Sequence, residues 1–131
     1  MHVVRFAEAP EYTAPGHYDM RMVRLQGREA GPSSDLWIGV SVIAPGGGTI
    51  LSSSPEEKMY VVLDGTVHVS NGESEVSLER WDSCRIGAGE DRRLTNRAKS
   101  PVTVLLVMPL PADERSLGHR AWLVGDGASS S

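Results

Sequence analysis

Residues 58–72 read Lys58-Met59-Tyr60-Val61-Val62-Leu63-Asp64-Gly65-Thr66-Val67-His68-Val69-Ser70-Asn71-Gly72. Two runs rich in β-branched and aromatic residues each end in an Asx-Gly pair, the pattern of strand, turn, strand, turn. Asp64-Gly65 and Asn71-Gly72 have the chemistry of two-residue hairpin turns, whose central residues take positive φ. The stretch predicts strands over 58–63, 66–70 and 74–78, joined as antiparallel neighbours.

Working outward, Leu36 to Ala44 is another β-branched run, which stops at Pro45-Gly46-Gly47-Gly48, and Val102 to Met108 is a further strand. Residues 1–35 form an N-terminal strand or arm, with one apolar alternation at Met20, Met22 and Leu25 that reads as an edge strand. Residues 36–110 form the barrel core. Residues 111–131 form a C-terminal segment, with a helical turn around Asp113 to Leu117 and a small, polar tail from Gly125 that reads as disordered. No helical periodicity separates the strands, so the fold class is all-β, an antiparallel sandwich or barrel.

Composition bounds the function. The 131 residues include 14 glycines and 8 prolines, suited to many tight turns in one small domain. A net charge of −4 excludes the clustered basic surface that nucleic acid requires. The longest apolar run, Val102 to Leu110, is too short for a membrane span. The single cysteine, Cys84, and an N-terminus without a cationic, apolar leader point to the cytoplasm. Cys84 itself reads as a small core hydrophobe.

The glycine and proline register resembles the cupin superfamily. Pro45-Gly46-Gly47, Ser52-Ser53-Ser54-Pro55-Glu56-Glu57-Lys58 and Tyr60-Val61-Val62-Leu63-Asp64-Gly65 are similar to its first segment. Leu78, Asp82, Gly89 and Asn96 fall in the places of its second, although Trp81 and Gly87 depart from the usual glycine and proline. The resemblance spans roughly residues 36 to 109 and implies a single jelly-roll β-barrel. Metal-binding cupins carry histidines and a glutamate at positions that here read Ser52, Ser54, Lys58 and Arg92. Hydroxyls are poor neutral ligands, and ammonium and guanidinium groups offer no lone pair to a cation, so no metal and no cofactor are expected.

In a retained barrel, strand parity puts Lys58, Tyr60 and Val62 on one inward face and Arg92, Leu94 and Asn96 on another. The catalytic candidates are Lys58, Arg92 and Tyr60. Ser52, Ser54, Asn96 and, from an N-terminal segment folding across the mouth, His17 are candidate substrate contacts. Lys58 has three readings: a general base or Schiff-base amine with lowered pKa, a protonated stabiliser of an oxyanion, or a filler paired with Glu56, Glu57 or Glu90. Arg92 is limited to binding and charge stabilisation, or is a rim residue within Glu90-Asp91-Arg92-Arg93. His68 reads as solvent-facing, and neither His2 nor His119 has a motif around it.

The expected function is binding of a small anionic or carbonyl-bearing metabolite, with isomerase, cyclase or lyase chemistry by enolate stabilisation and proton transfer. A non-catalytic binding protein is the first alternative. A metal-dependent enzyme with non-standard ligands such as His17 and Glu57 is the second. Exposed apolar positions on one sheet, Trp37, Val40, Met59 or Val61 by parity, together with family habit, lead to an expected homodimer.

Overall fold

The computed structural model describes residues 1–115. Nine strands account for most of them: β1 (Glu11–Tyr12), β2 (His17–Gln26), β3 (Leu36–Thr49), β4 (Lys58–Asp64), β5 (Val67–Ser70), β6 (Glu75–Leu78), β7 (Ser83–Ile86), β8 (Arg93–Thr95) and β9 (Val102–Pro109). Among the described residues the only helical pieces are 3-10 turns at Phe6–Glu8, Arg28–Ala30 and Ala112–Glu114. The last of these overlaps the start of the expected turn near Asp113; Leu117, His119 and the polar tail lie outside the described residues. No helix is long and apolar enough to cross a membrane.

Neighbouring strands run in the order β6-β5-β8-β3-β9-β4-β7, with β2 against β3 and β1 against β2. Every pairing is antiparallel, and the path curls into a nearly closed barrel whose terminal strands, β6 and β7, are not paired with each other. Register determines what the interior holds. Met22, Ser41, Val104 and Val62 lie in one cross-strand row, and Met20, Ile43 and Val102 in the next. Ile43, Val62, Val102 and Val104 are fully buried with Val67, Val69 and Leu94 from the facing strands, so this half of the barrel is packed solid. Moving along the strands the other way, the rows read Arg24, Gly39, Leu106, Tyr60 and Cys84, then Trp37 with Met108 and Lys58 with Ile86. Polar and large side chains replace the β-branched ones there, and that end stays open.

The strand expected to stop at Ala44 instead continues through the glycine run to Thr49. Its first part pairs with β9 and its end meets β8 and the start of β2. A Cβ on Gly48 would lie 2.1 Å from the Leu94 carbonyl oxygen, so the glycines let one strand pass between sheets where no side chain fits.

The two Asx-Gly pairs behave differently. Asn71-Gly72 does turn the β5–β6 hairpin, but Ser70 faces Glu75, so the loop has four residues rather than two. The Asn71 side-chain oxygen accepts from the Glu73 and Ser74 amides at 3.0 and 2.9 Å and organises the loop. Asp64-Gly65 makes no hairpin. β4 belongs with β7 and β9, β5 with β6 and β8, and Gly65, at φ +87°, carries the chain from one sheet to the other. Positive φ specifies a sharp bend, not which strand becomes the neighbour. Burying Val62 against Val67 and Val69 requires facing sheets.

The edge strand expected from Met20, Met22 and Leu25 is the middle of β2, but a register shift between Arg24 and Gln26 puts Leu25 outside the barrel. There Leu25, Val23 and Val40 are packed with Val4 and Ala9 of the N-terminal arm. His2 ties that arm down by donating from Nε2 to the Ala30 carbonyl at 2.8 Å. This corrects two of the four positions expected on an exposed face. Val40 is buried under the arm, and Trp37 is buried on the interior side, while Met59 remains exposed.

Candidate functional site

The open end of the barrel holds a cavity of about 350 Å³. Lys58 enters it from the start of β4, Arg92 from just before β8, and His17 from the start of β2. Trp37, Leu106 and Met108 form its apolar wall, and Tyr12 and Arg24 line the side nearest the arm. The inward parity expected of Lys58, Tyr60 and Val62, and of Arg92, Leu94 and Asn96, describes the structure: all six are buried.

Lys58 is 4% exposed, and its Nζ donates to Ser54 Oγ at 2.6 Å. The Ser54 hydroxyl proton is already committed to the Glu56 carbonyl at 2.8 Å, so Ser54 can only accept from the lysine. Burial, and after it the charge of Arg92, hold the Lys58 ammonium below its ordinary range. The filler reading fails. Glu56 pairs with Arg115, Glu57 with Arg85, and Glu90 accepts from the Gly87 amide and from Asn71, leaving none for Lys58.

Arg92 is 5% exposed and is no rim residue. Its backbone exchanges two hydrogen bonds with Ser52, at 3.0 and 2.8 Å, which fixes the strand at the cavity wall. Its Nη1 donates to Thr49 Oγ1 at 2.8 Å, an oxygen that also accepts from the Leu94 amide, while its Nε is buried with no partner. Among the described residues neither Lys58 nor Arg92 has a carboxylate partner. Two buried cations thus share one cavity without a counterion.

Tyr60 is buried against Arg92 and does not itself line the cavity. Burial pushes its hydroxyl up to about 12, partly offset by the charge and hydrogen bonding of Arg92, so it is a neutral phenol at pH 7 and a donor rather than a base. His17 donates from Nδ1 to the Pro15 carbonyl at 2.9 Å, because a carbonyl can only accept. The lone pair is therefore on Nε2. Burial is the main cause of a pKa below the ordinary 6.5; the Pro15 bond opposes it, and the charges of Arg92 and Lys58 add to it.

The structure does not bring Asn96 to the cavity. Its amide nitrogen donates to the carbonyls of Ile43 and Ser100, both at 2.9 Å, and its oxygen accepts from the Ala98 amide. The expected substrate contact is thus a loop brace, which ties the buried Ile43 carbonyl to the loop over residues 98–100. Ser52 contributes through its backbone, and Ser54 through Lys58. His68 is half-buried rather than fully solvent-facing, and Cys84 sits half-buried on β7 against the core.

Four contributors escaped the sequence reading: Thr49, Arg24, Tyr12 and Glu29. Thr49 holds Arg92. Arg24 lies in the corner between the perpendicular rings of Tyr12 and Trp37, its guanidinium carbon 3.5 and 4.2 Å from their centroids, and its Nε donates to Glu29 at 2.8 Å. A charged residue continuing the Met20, Met22 alternation was the available signal for Arg24. Since Glu29 neutralises Arg24, and Glu114 pairs with Arg28, the uncompensated charge lies with Lys58 and Arg92.

The four positions where metal-binding relatives of the resembled family hold ligands can be tested for fit. Ser54 Oγ is occupied by Lys58 and Glu56, and the ammonium and guanidinium groups would repel a cation. Among the described residues no three His, Cys, Asp or Glu side chains converge elsewhere. The residues present do not fit a divalent metal.

The Cupin domain family matches residues 39–108. The chain is 39% identical over 114 residues to the β-D-galactosidase Rv1717 of Mycobacterium tuberculosis, spanning 87% of this chain and 98% of that protein. Among solved structures it is similar to the polyketide cyclase RemF from Streptomyces resistomycificus (TM-score 0.73, 17% identity, 83% of this chain and 79% of that one). It is also similar to an RmlC-like cupin from Shewanella frigidimarina (TM-score 0.69, 12% identity, 87% and 95%). At these identities the two structures speak for the fold alone.

Proposed function

Because the chain belongs to the cupin domain family, whose barrel offers an interior site, we propose that its cavity binds a small sugar-derived metabolite bearing a carboxylate or a carbonyl and transforms it without a metal. The observation that carries this reading is the pair Lys58 and Arg92, both buried, both lining one cavity, and neither compensated by a carboxylate. Such a pair is costly unless a ligand anion supplies the missing charge. The sugar class rests on the 39% identity to a protein named as a β-D-galactosidase.

In this mechanism Arg92 binds the anionic group, and Lys58 stabilises the oxyanion that develops when a proton leaves the carbon beside a carbonyl. The free Nε2 of His17 takes that proton and returns it at a neighbouring atom, as isomerisation, cyclisation or elimination requires. Tyr60 does not line the cavity and acts through its hydrogen bond with Arg92, which it helps to position. Calorimetry with a panel of sugar acids and short keto acids tests the reading. Binding is expected in EDTA-treated protein, and Lys58→Met and Arg92→Met are each expected to weaken it by about tenfold or more, the worth of one charged hydrogen bond. Binding that ignores both substitutions, or vanishes with EDTA, defeats it.

The name of the Mycobacterium relative favours a second reading, hydrolysis of a β-galactoside. Glycosidases of the usual kind need two facing carboxylates, whereas the described residues lining this cavity include none, so hydrolysis here would run through Tyr12 or His17. Release of nitrophenol from a chromogenic β-galactoside, lost in Tyr12→Phe or His17→Gln, would establish it.

A further inference from the structure

We infer that Lys58 is an imine-forming amine that captures the carbonyl of a 2-oxo acid whose carboxylate is held by Arg92. This rests on the anion-binding reading of the same cavity, names its substrate class, and gives Lys58 covalent capture of the carbonyl in place of oxyanion stabilisation.

The geometry around Nζ carries the inference. Among the described residues the ammonium makes one hydrogen bond, to Ser54, and Ser54 cannot donate back, because its own proton is spent on the Glu56 carbonyl. Lys58 lines the cavity, its Nζ has no second hydrogen-bond partner among the described residues, and no carboxylate is paired with it. An ammonium in such a place is poorly solvated, whereas a neutral amine keeps its one donor contact and turns its lone pair toward the cavity. Arg92 lies near enough for its charge to act on Lys58, and its buried Nε has no partner, so a carboxylate bound there sets an adjacent carbonyl carbon toward the amine. Burial and the Arg92 charge both favour the unprotonated amine, in support.

The step balances. The Lys58 nitrogen forms a bond to the carbonyl carbon and loses a proton, the oxygen gains one to give a carbinolamine, and a second proton lets that oxygen leave as water, forming the C=N bond. His17 Nε2, on the same cavity, relays these protons. The product of that step is the protonated iminium, which withdraws electrons from the neighbouring carbon more strongly than the ketone did and makes the α-proton easier to remove.

The chain has only two lysines, Lys58 and Lys99, and with the α-amine of Met1 they are its three primary amines, which peptide mapping separates. Protein incubated with pyruvate and sodium cyanoborohydride is expected to gain the mass of the acid plus two hydrogens less one water, with peptide mapping placing it on Lys58 and not on the exposed Lys99. Lys58→Arg, which keeps the charge, is expected to abolish the label on the peptide that carries residue 58 and to leave only slow background on Met1 and Lys99. Arg92→Gln is expected to lower the Lys58 label about tenfold, and acetone, lacking the carboxylate, to label it as weakly. Labelling of Lys58 no faster than that of Lys99 and the Met1 amine, or a total label unchanged by Lys58→Arg, overturns the inference. Absence of label while calorimetry still detects pyruvate overturns the imine and leaves the anion site standing; absence of binding by any keto acid or sugar acid defeats both.

Discussion

The environment of Lys58 separates a functional residue from a structural one. A buried ion pair is retained or replaced at little net cost, but a buried cation without its anion is a standing penalty. Lys58→Met is therefore expected to raise stability by about 1 kcal/mol at neutral pH while it weakens ligand binding by about tenfold or more. The pH dependence follows from the sign of the shift. The folded-state pKa lies below the ordinary 10.5, so the unfolded chain binds more protons between the two values, and wild-type stability rises with pH there. The advantage of the methionine variant should shrink as pH climbs toward 10.5. Thermal melts of both proteins from pH 7 upward measure it; a destabilised variant would mean that the ammonium has a compensating partner in the fold. Lys58 and Arg92 were legible as inward residues from strand parity together with the resemblance to the cupin register. Thr49 and Arg24 were not, because their importance lies in partners 43 residues away and across two aromatic rings.

Among the elements, the β6–β7 turn shows where this chain departs from its family. Trp81 stands where the resembled pattern has glycine, and it keeps the glycine's conformation, at φ +73°. Its amide donates to the Val62 carbonyl at 2.7 Å and the Asp82 amide donates to the Glu79 carbonyl at 2.8 Å, so the surrounding bonds hold the residue in the left-handed region. The ring is 68% exposed and touches little besides Arg80, whose guanidinium carbon is 5.4 Å from its centroid. A left-handed non-glycine residue costs roughly 1 kcal/mol, and Trp81→Gly is expected to return about that amount in chemical denaturation. An unchanged or lowered midpoint would show that the indole contributes more than the strain removes. The Asx-Gly pairs teach a related lesson at this scale. Both specify a bend, yet only Asn71-Gly72 joins neighbouring strands, since Asp64-Gly65 is overruled by the pairing of β4 with β9.

For the whole molecule, the outer face of the large sheet is only partly clothed. The arm covers Val23 and Val40, whereas Met59 stays exposed and Val61, Leu105 and Val107 are half-buried beside it. A second copy covering this strip would form a homodimer, so light scattering is expected to give twice the 14.1 kDa chain mass, and Met59→Glu to return the monomer. A monomer for the wild-type chain would refute the expectation. Length, turn chemistry and alternation determined an all-β sandwich or barrel, and the resemblance to the cupin register turned the Lys58 and Arg92 faces inward, because a two-residue side-chain period says which residues share a face but not which face is inside. Only the tertiary structure decided that one end of the barrel is packed solid and the other hollow, that the glutamates near Lys58 turn away to other arginines, and that His17 arrives at the cavity while Asn96 braces a loop. Those outcomes depend on strand register and on long-range pairings, which bring together residues whose separation along the chain carries no signal of their contact.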